Sequence, residues 1–279
     1  MTKGSASNGG SPGAGVTWPR MTGLKATAAS SEAWLIPAEA RAIARGGVLY
    51  YPCAGPDTGE AVDAFASDVT AFWFSDLDYQ ADDVGSIAGC ERQGSMTVRG
   101  EPYASMGTRR MQGRTHRWIE PCVWTARMRH ERTRADITVH WRRGFGEYAL
   151  EREFPERSIS VFMHRGDSPG EGGSGSHFLD RRPKRHEPLS RLFDKLAVKL
   201  RDEALVVSDG SNCGLRALRA FHKDMVIEAS VAMEASERPF ERWGFLWKCI
   251  GYIGRHKGPT LIWSVTRLRN ASSTPVEAS

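Results

Sequence analysis

The sequence predicts an α/β fold: a mostly parallel sheet between layers of helix, closed by a C-terminal antiparallel strand pair and carrying a β-rich insertion. Three observations lead there. Short apolar runs with strand composition alternate with helix-like segments from Gly47 to Val207. Four of those runs end in polar or glycine-bearing loops, PCAGPD, SDLDY, HRGDSPGEGGSG and SDGSN. The last part of the chain holds two apolar runs, Trp243 to Ile253 and Thr260 to Val265, spaced as an antiparallel pair.

Residues 1–30 are rich in Gly, Ser, Ala and Thr and read as a disordered tail. Residues 31–270 read as one domain, and 271–279 as a loose C-terminal tail. Pro37 suits the first position of a helix over Ala38 to Arg45, which Gly46-Gly47 stops. Val48 to Tyr51 is apolar and aromatic, as a buried strand is. Pro52 to Asp57 breaks that strand. Asp57 with Glu60 three positions on has the form of a capping box, opening a helix over Thr58 to Ala66. Thr70 to Phe74 is the next strand and stops at Ser75-Asp76-Leu77-Asp78. Such a strand–turn–helix–strand unit is half of a nucleotide-binding, Rossmann-like three-layer sandwich.

The segment at about 80–135 is too long for a plain crossover and reads as a β-rich insertion or elaborated sheet edge. It holds expected strands around Ser95 to Val98 and Arg117 to Met128, and an expected hairpin with arms Val123 to Arg129 and Ile137 to Trp141. Asp136 to Trp141 is the third strand of the series, followed by a short helix over Phe145 to Phe154 that Pro155 ends. Ser158 to Met163 is a strand running into a glycine-rich loop that starts at His164. Apolar spacing of three and four predicts an amphipathic helix over Pro188 to Arg201. Ala204 to Val207 is a strand, and Cys213 to His222 a further helix.

Composition narrows the function classes. The chain has 279 residues, 40% hydrophobic and 25% charged, the balance of a globular protein. No apolar run reaches about 18 residues, so no membrane helix is expected. The N-terminus lacks the apolar core of a secretory signal. Five scattered cysteines with no CxxC pair suggest reduced thiols in a cytoplasmic protein rather than a disulfide frame. A formal charge of +5 mildly favours an anionic partner.

In an open parallel sheet the carboxyl ends of the strands form the ligand crevice. The four polar loops converge there if their strands are parallel neighbours. His164 and Asp167 have the types of a proton acceptor and its orienter, with Glu171 as a substitute acceptor. The alternative for that loop is a turn with no chemistry. His164, Asp167, His177, Asp180 and His186 are metal-ligand types, but their spacing fits no compact site, and no metal is expected.

The strand series with its final antiparallel pair resembles the class I S-adenosylmethionine-dependent methyltransferase family. The resemblance spans Pro37 to Leu268, minus Gln80 to Arg134, and rests on YPCAGPD, on Asp76 or Asp78, and on the pair FLWKCIGYI…PTLIWSVTRL. It implies S-adenosylmethionine as cofactor. Pro52, Ala54, Gly55 and Asp57 would lie against its methionine part, and Asp76 or Asp78 would hold its ribose. The acceptor would be a small molecule or a nucleic acid. The first loop has only Gly55 where the family has two or three close glycines. His164-Arg165-Gly166-Asp167 stands where amino-methylating members carry Asn/Asp-Pro-Pro-aromatic, so methylation of a nucleobase amine is not implied. GxGxxG is absent, which argues against a dinucleotide oxidoreductase.

A second reading comes from Gly107 to Arg143. Ten arginines (109, 110, 114, 117, 127, 129, 132, 134, 142, 143) face only Glu120, Glu131 and Asp136, with Trp118, Trp124 and Trp141 interleaved. Arginine with aromatic side chains suits phosphate neutralisation and base stacking. A non-catalytic module binding nucleic acid through residues 109–143 is the functional alternative. The plainer account is one charged, solvated strand face.

Overall fold

The computed structural model describes residues 36–55, 58–103, 107–111, 114–165, 192–208, 239–253 and 260–268. Helix α1 (Ala38–Ala44) ends where Gly46 takes φ of 63°, a conformation that costs glycine nothing. It feeds strand β1 (Gly47–Pro52). Helix α2 (Thr58–Phe65) follows and buries Ala61, Val62 and Phe65 at helical spacing. Strand β2 (Val69–Asp76) runs parallel to β1.

The segment after β2 becomes strands. These are β3 (Cys90–Gly100), β4 (Gly107–Met111), β5 (Arg114–Trp118) and β6 (Cys122–His130). Arg117 to Met128, expected as one strand, is therefore two, broken around Pro121. Strand β7 (Asp136–Arg143) pairs antiparallel with β6 as a hairpin and parallel with β2. Helix α3 (Gly146–Glu153) and strand β8 (Ile159–His164) come next.

Helix α4 (Leu192–Ala197) is shorter than the periodicity suggests, because Leu200 and Arg201 already belong to strand β9 (Leu200–Ser208). The expected helix over Cys213 to His222 lies outside the described residues. Strands β10 (Phe240–Arg242), β11 (Phe245–Ile253) and β12 (Thr260–Arg267) close the sheet.

Ten strands form one sheet in the order β10-β11-β12-β9-β8-β1-β2-β7-β6-β3, while β4 and β5 form a sheet of their own. The expected Rossmann-like three-layer sandwich with a mostly parallel sheet is corrected here. Five of the nine neighbour pairings in the large sheet are antiparallel, and four are parallel. The described helices are four, of six to eight residues each, so the chain is mostly β with a mixed sheet. The physical cause is the route from β2 to β7. Strands β3 to β6 and a tight hairpin make that connection, where a parallel sheet uses a helix. Strands β11 and β12 pair antiparallel, and β12 pairs antiparallel with β9.

Alternation divides the core into two clusters. Leu49, Phe72, Phe74, Val139, Trp141, Val161 and Val207 point to the face that carries α1 and α2. Tyr50, Phe162, Val206 and Trp263 point to the face that carries α3 and α4. Each large side chain removed from water in this way stabilises the fold by about 1.5–3 kcal/mol. Among the described residues no helix is long and apolar enough to cross a membrane.

Candidate functional site

The strands that end in polar loops are neighbours and parallel. Register places His164 opposite Ser208, Pro52 opposite Ser75, and Asp76 opposite Arg143. The ends of β9, β8, β1, β2 and β7 therefore share one edge of the sheet. The chain leaves β1 towards β2 on one side and later returns on the other side as β8. Such a reversal is where open sheets leave a crevice beyond the strand ends.

The loop after β1 is built against the end of β2. Cys53 has φ of 52° and Gly55 of 49°, so the chain turns sharply there. A non-glycine residue at such φ stores backbone strain. Ala54 N–H donates to the carbonyl of Ser75 at 3.2 Å. Gly55 N–H donates to Asp76 Oδ2 at 3.0 Å, and the Tyr79 hydroxyl donates to the Gly55 carbonyl at 2.9 Å. Asp78 N–H donates to Asp76 Oδ1 at 3.0 Å. Burial pushes the Asp76 carboxyl above the usual carboxylate range, and the N–H groups of Asp78 and Gly55 oppose that shift. Asp76 is half-buried and faces the first loop, whereas Asp78 is exposed. Of the two acids the sequence left open, only Asp76 meets the loop.

Pro52 closes β1 and is buried, as is Ala54. Asp57 lies outside the described residues. Glu60, in the first turn of α2, accepts from Arg165 at 3.0 Å, which ties the end of β8 to the helix after the first loop. His164 is not a loop residue. It is the last residue of β8, fully buried, with Nδ1 at 3.3 Å from Ser208 Oγ and its ring stacked on Phe162. Asp167 and Glu171 lie outside the described residues, as do His177, Asp180, His186 and the loop after Ser208.

Sequence reasoning missed three participants. Tyr79 holds the loop carbonyl. Tyr50, buried under the site, joins Ser75 Oγ and the Gly146 carbonyl at 2.9 Å each. Arg143, with no exposed surface, donates to the carbonyls of Glu101, Pro102 and Glu120 and to Gln80 Oε1. The only signal for Arg143 was its place at the end of DITVHWRR, which composition reads as charge. Beyond β7 a small cleft opens between Ile119, Pro121, Gly144, Phe145 and Tyr148.

The remaining described arginines of the run are dispersed. Arg142 is buried and bonds to Glu153. Arg132 pairs with Asp63. Arg127 and Arg129 are exposed on β6, and Arg129 stands between Glu91 and Asp136 in register. Comparison of the chain with protein-family models and with curated proteins finds no match.

Proposed function

We propose that the chain is an S-adenosylmethionine-dependent methyltransferase-like protein whose cofactor lies across the ends of β1 and β2. The observation that carries the reading is the Asp76 carboxylate, held at 3.0 Å by Gly55 N–H and at 3.0 Å by Asp78 N–H. Gly55 N–H and Asp78 N–H each take one carboxylate oxygen, with Leu77 N–H a weaker third donor, and a carboxylate with about four acceptor sites keeps capacity for a ribose hydroxyl. Glycine at position 55 suits the turn through its φ of 49°. When bound, S-adenosylmethionine supplies an electrophilic methyl group.

The chain's own part is alignment. Asp76 fixes the sugar end, and the backbone of Pro52 to Gly55 lies against the other end. Arg165 and Glu60 hold β8 and α2 at a set spacing around that loop. Rate then comes mainly from orienting the acceptor in line with the methyl carbon. We give His164 a positioning role, since it is fully buried against Ser208 and Phe162.

Calorimetric titration with S-adenosylmethionine tests this reading. The expected result is binding in the range of about 1–100 µM, and a loss of about 100-fold in Asp76→Ala from a missing charge-assisted hydrogen bond. Asp78→Ala retains the affinity, because only its backbone serves the site. No heat and no thermal shift at about 1 mM ligand would overturn the reading.

A further inference from the structure

We propose that the cleft beyond β7 binds the carboxylate of a small aromatic acid. Arg142 lines it with a side chain only 2% exposed. Its Nε donates to Glu153 Oε1 at 3.3 Å and its Nη1 to the Phe145 carbonyl at 3.4 Å, while Nη2 has no partner among the described residues. A buried guanidinium is costly to the fold unless its charge is answered. Glu153 answers it only in part, because Oε2 of the same carboxylate is taken by Arg99 at 2.5 Å. Arg152 also lines the cleft, is exposed, and pairs with no acid among the described residues. Around the cleft three guanidinium groups thus meet one carboxylate. Nearby acids are engaged elsewhere or stand off the wall. Glu151 pairs with Lys195, and neither Glu120 nor Glu147 lines the cleft.

The rest of the wall is apolar or aromatic. Ile119 and Pro121 come from the segment before β6, and Phe145 and Tyr148 from the start of α3, with rings 6.1 Å apart and edge-on. Gly144 lets the backbone pass close to the guanidinium. Its φ is 124°, and a Cβ there would stand 3.0 Å from Arg142 Nη1. A planar carboxylate matches a guanidinium edge, and an aromatic body attached to it can lie against Tyr148 and Pro121. Phosphate is the weaker fit, because apolar walls leave its further charged oxygens without donors. Gly144 N–H donates to the Asp76 carbonyl at 2.9 Å, so the cleft adjoins the strand-end crevice. This inference does not depend on the cofactor reading.

The test is a proton–nitrogen NMR titration of the full chain with benzoate, benzamide, acetate and inorganic phosphate. Benzoate should move the Gly144 and Tyr148 amide signals with a Kd of about 1 mM, the range open to so small a ligand. Benzamide, without the charge, should bind about 10-fold more weakly. Acetate, without the ring, should also bind about 10-fold more weakly. Arg142→Gln should weaken benzoate about 10-fold, and the exposed Arg152→Ala about 3-fold. Should Arg142→Gln fail to fold, Arg142→Lys keeps a charge beside Glu153 and should weaken benzoate about 5-fold for want of the planar fork. Arg127→Ala, exposed on β6, should leave the affinity unchanged. The proposal is overturned if benzoate at about 10 mM moves neither signal, a level well above the expected Kd. It is overturned equally if benzamide binds as well as benzoate, or if phosphate binds more tightly. Wild-type affinity in Arg152→Ala, or an equal loss in Arg127→Ala, would overturn it too.

Discussion

Arg143→Met removes a fully buried charge that holds four acceptors. The guanidinium donates to Glu120 O at 2.9 Å, Pro102 O at 3.0 Å, Gln80 Oε1 at 3.1 Å and Glu101 O. It also lies 5.5 Å over the Trp124 ring. A methionine of similar length fills the volume but orphans four acceptors. Glu101 and Glu120 are exposed residues, so water reaches part of what is lost there. Two acceptors counted in full at about 1–3 kcal/mol each, with about 1 kcal/mol for the cation over the indole, give about 3–7 kcal/mol. Leaving a buried guanidinium out of the fold recovers some desolvation, which sets the expected net loss at about 3 kcal/mol. That is a large share of an ordinary folding stability. The assay is urea unfolding followed by tryptophan fluorescence, comparing midpoints at equal slope. Trypsin should also cut between Pro102 and Glu120 faster in the variant, because both ends of that segment lose the guanidinium that holds their carbonyls. A loss below about 1 kcal/mol, with cutting unchanged, would refute the view that Arg143 clamps the two ends of that segment.

Three further outcomes are expected. Gly47→Ala would set a Cβ 2.0 Å from Ser160 Oγ and 2.9 Å from the Ala44 carbonyl, so it should cost about 2–3 kcal/mol by thermal melting, with Ser160→Gly restoring only part. His140, half-buried against Trp73 and bonded to Thr125 Oγ1, has its pKa held down at about 4 from 6.5, chiefly by burial. As pH falls the unfolded chain takes this proton first, so stability is lost from about 6.5 down to about 4; urea melts should show about 2 kcal/mol between pH 7 and pH 5 that His140→Gln abolishes. The Cys90 thiol is pushed up to about 11 by burial and by the nearby Glu131 and Asp63 charges, so iodoacetamide at pH 8 should leave it unlabelled, as peptide mass spectrometry would show.

Strands and short helices were legible because their signals are local. Tyr50-Tyr51, Phe72 to Phe74 and Ile159 to Met163 are apolar runs bounded by breakers, and all three are strands. Ala38 to Ala44 and Gly146 to Glu153 follow helical composition and are helices. Fold class was not legible, because it turns on what β3 and β6 pair with. Cys90 to Gly100 has the composition of an exposed segment, yet it forms eight paired positions with β6 at the sheet edge. Nothing in a single sequence sets that pairing against a helical crossover. The same limit acts at Leu200, where helical spacing continues through a strand boundary.

Within the site, the division between legible and illegible follows burial. Asp76 and Asp78 stand two apart in one polar turn, and composition treats them alike. The fold separates them through the end of β2, where Asp76 meets Gly55 and Asp78 turns to solvent. His164 and Arg165 read as loop charges, yet one is fully buried and the other nearly so. Their burial is possible because each has a partner across the strand ends, Ser208 for His164 and Glu60 for Arg165. Buried polar groups at the ends of adjacent parallel strands are costly to the fold unless satisfied this way. Asp76, Arg143, His164 and Arg165 all lie on one sheet edge, and each is held by a different element. That edge is where the chain spends polar groups that a plain β core would replace with apolar ones, and it is there that a ligand would meet groups already fixed in place.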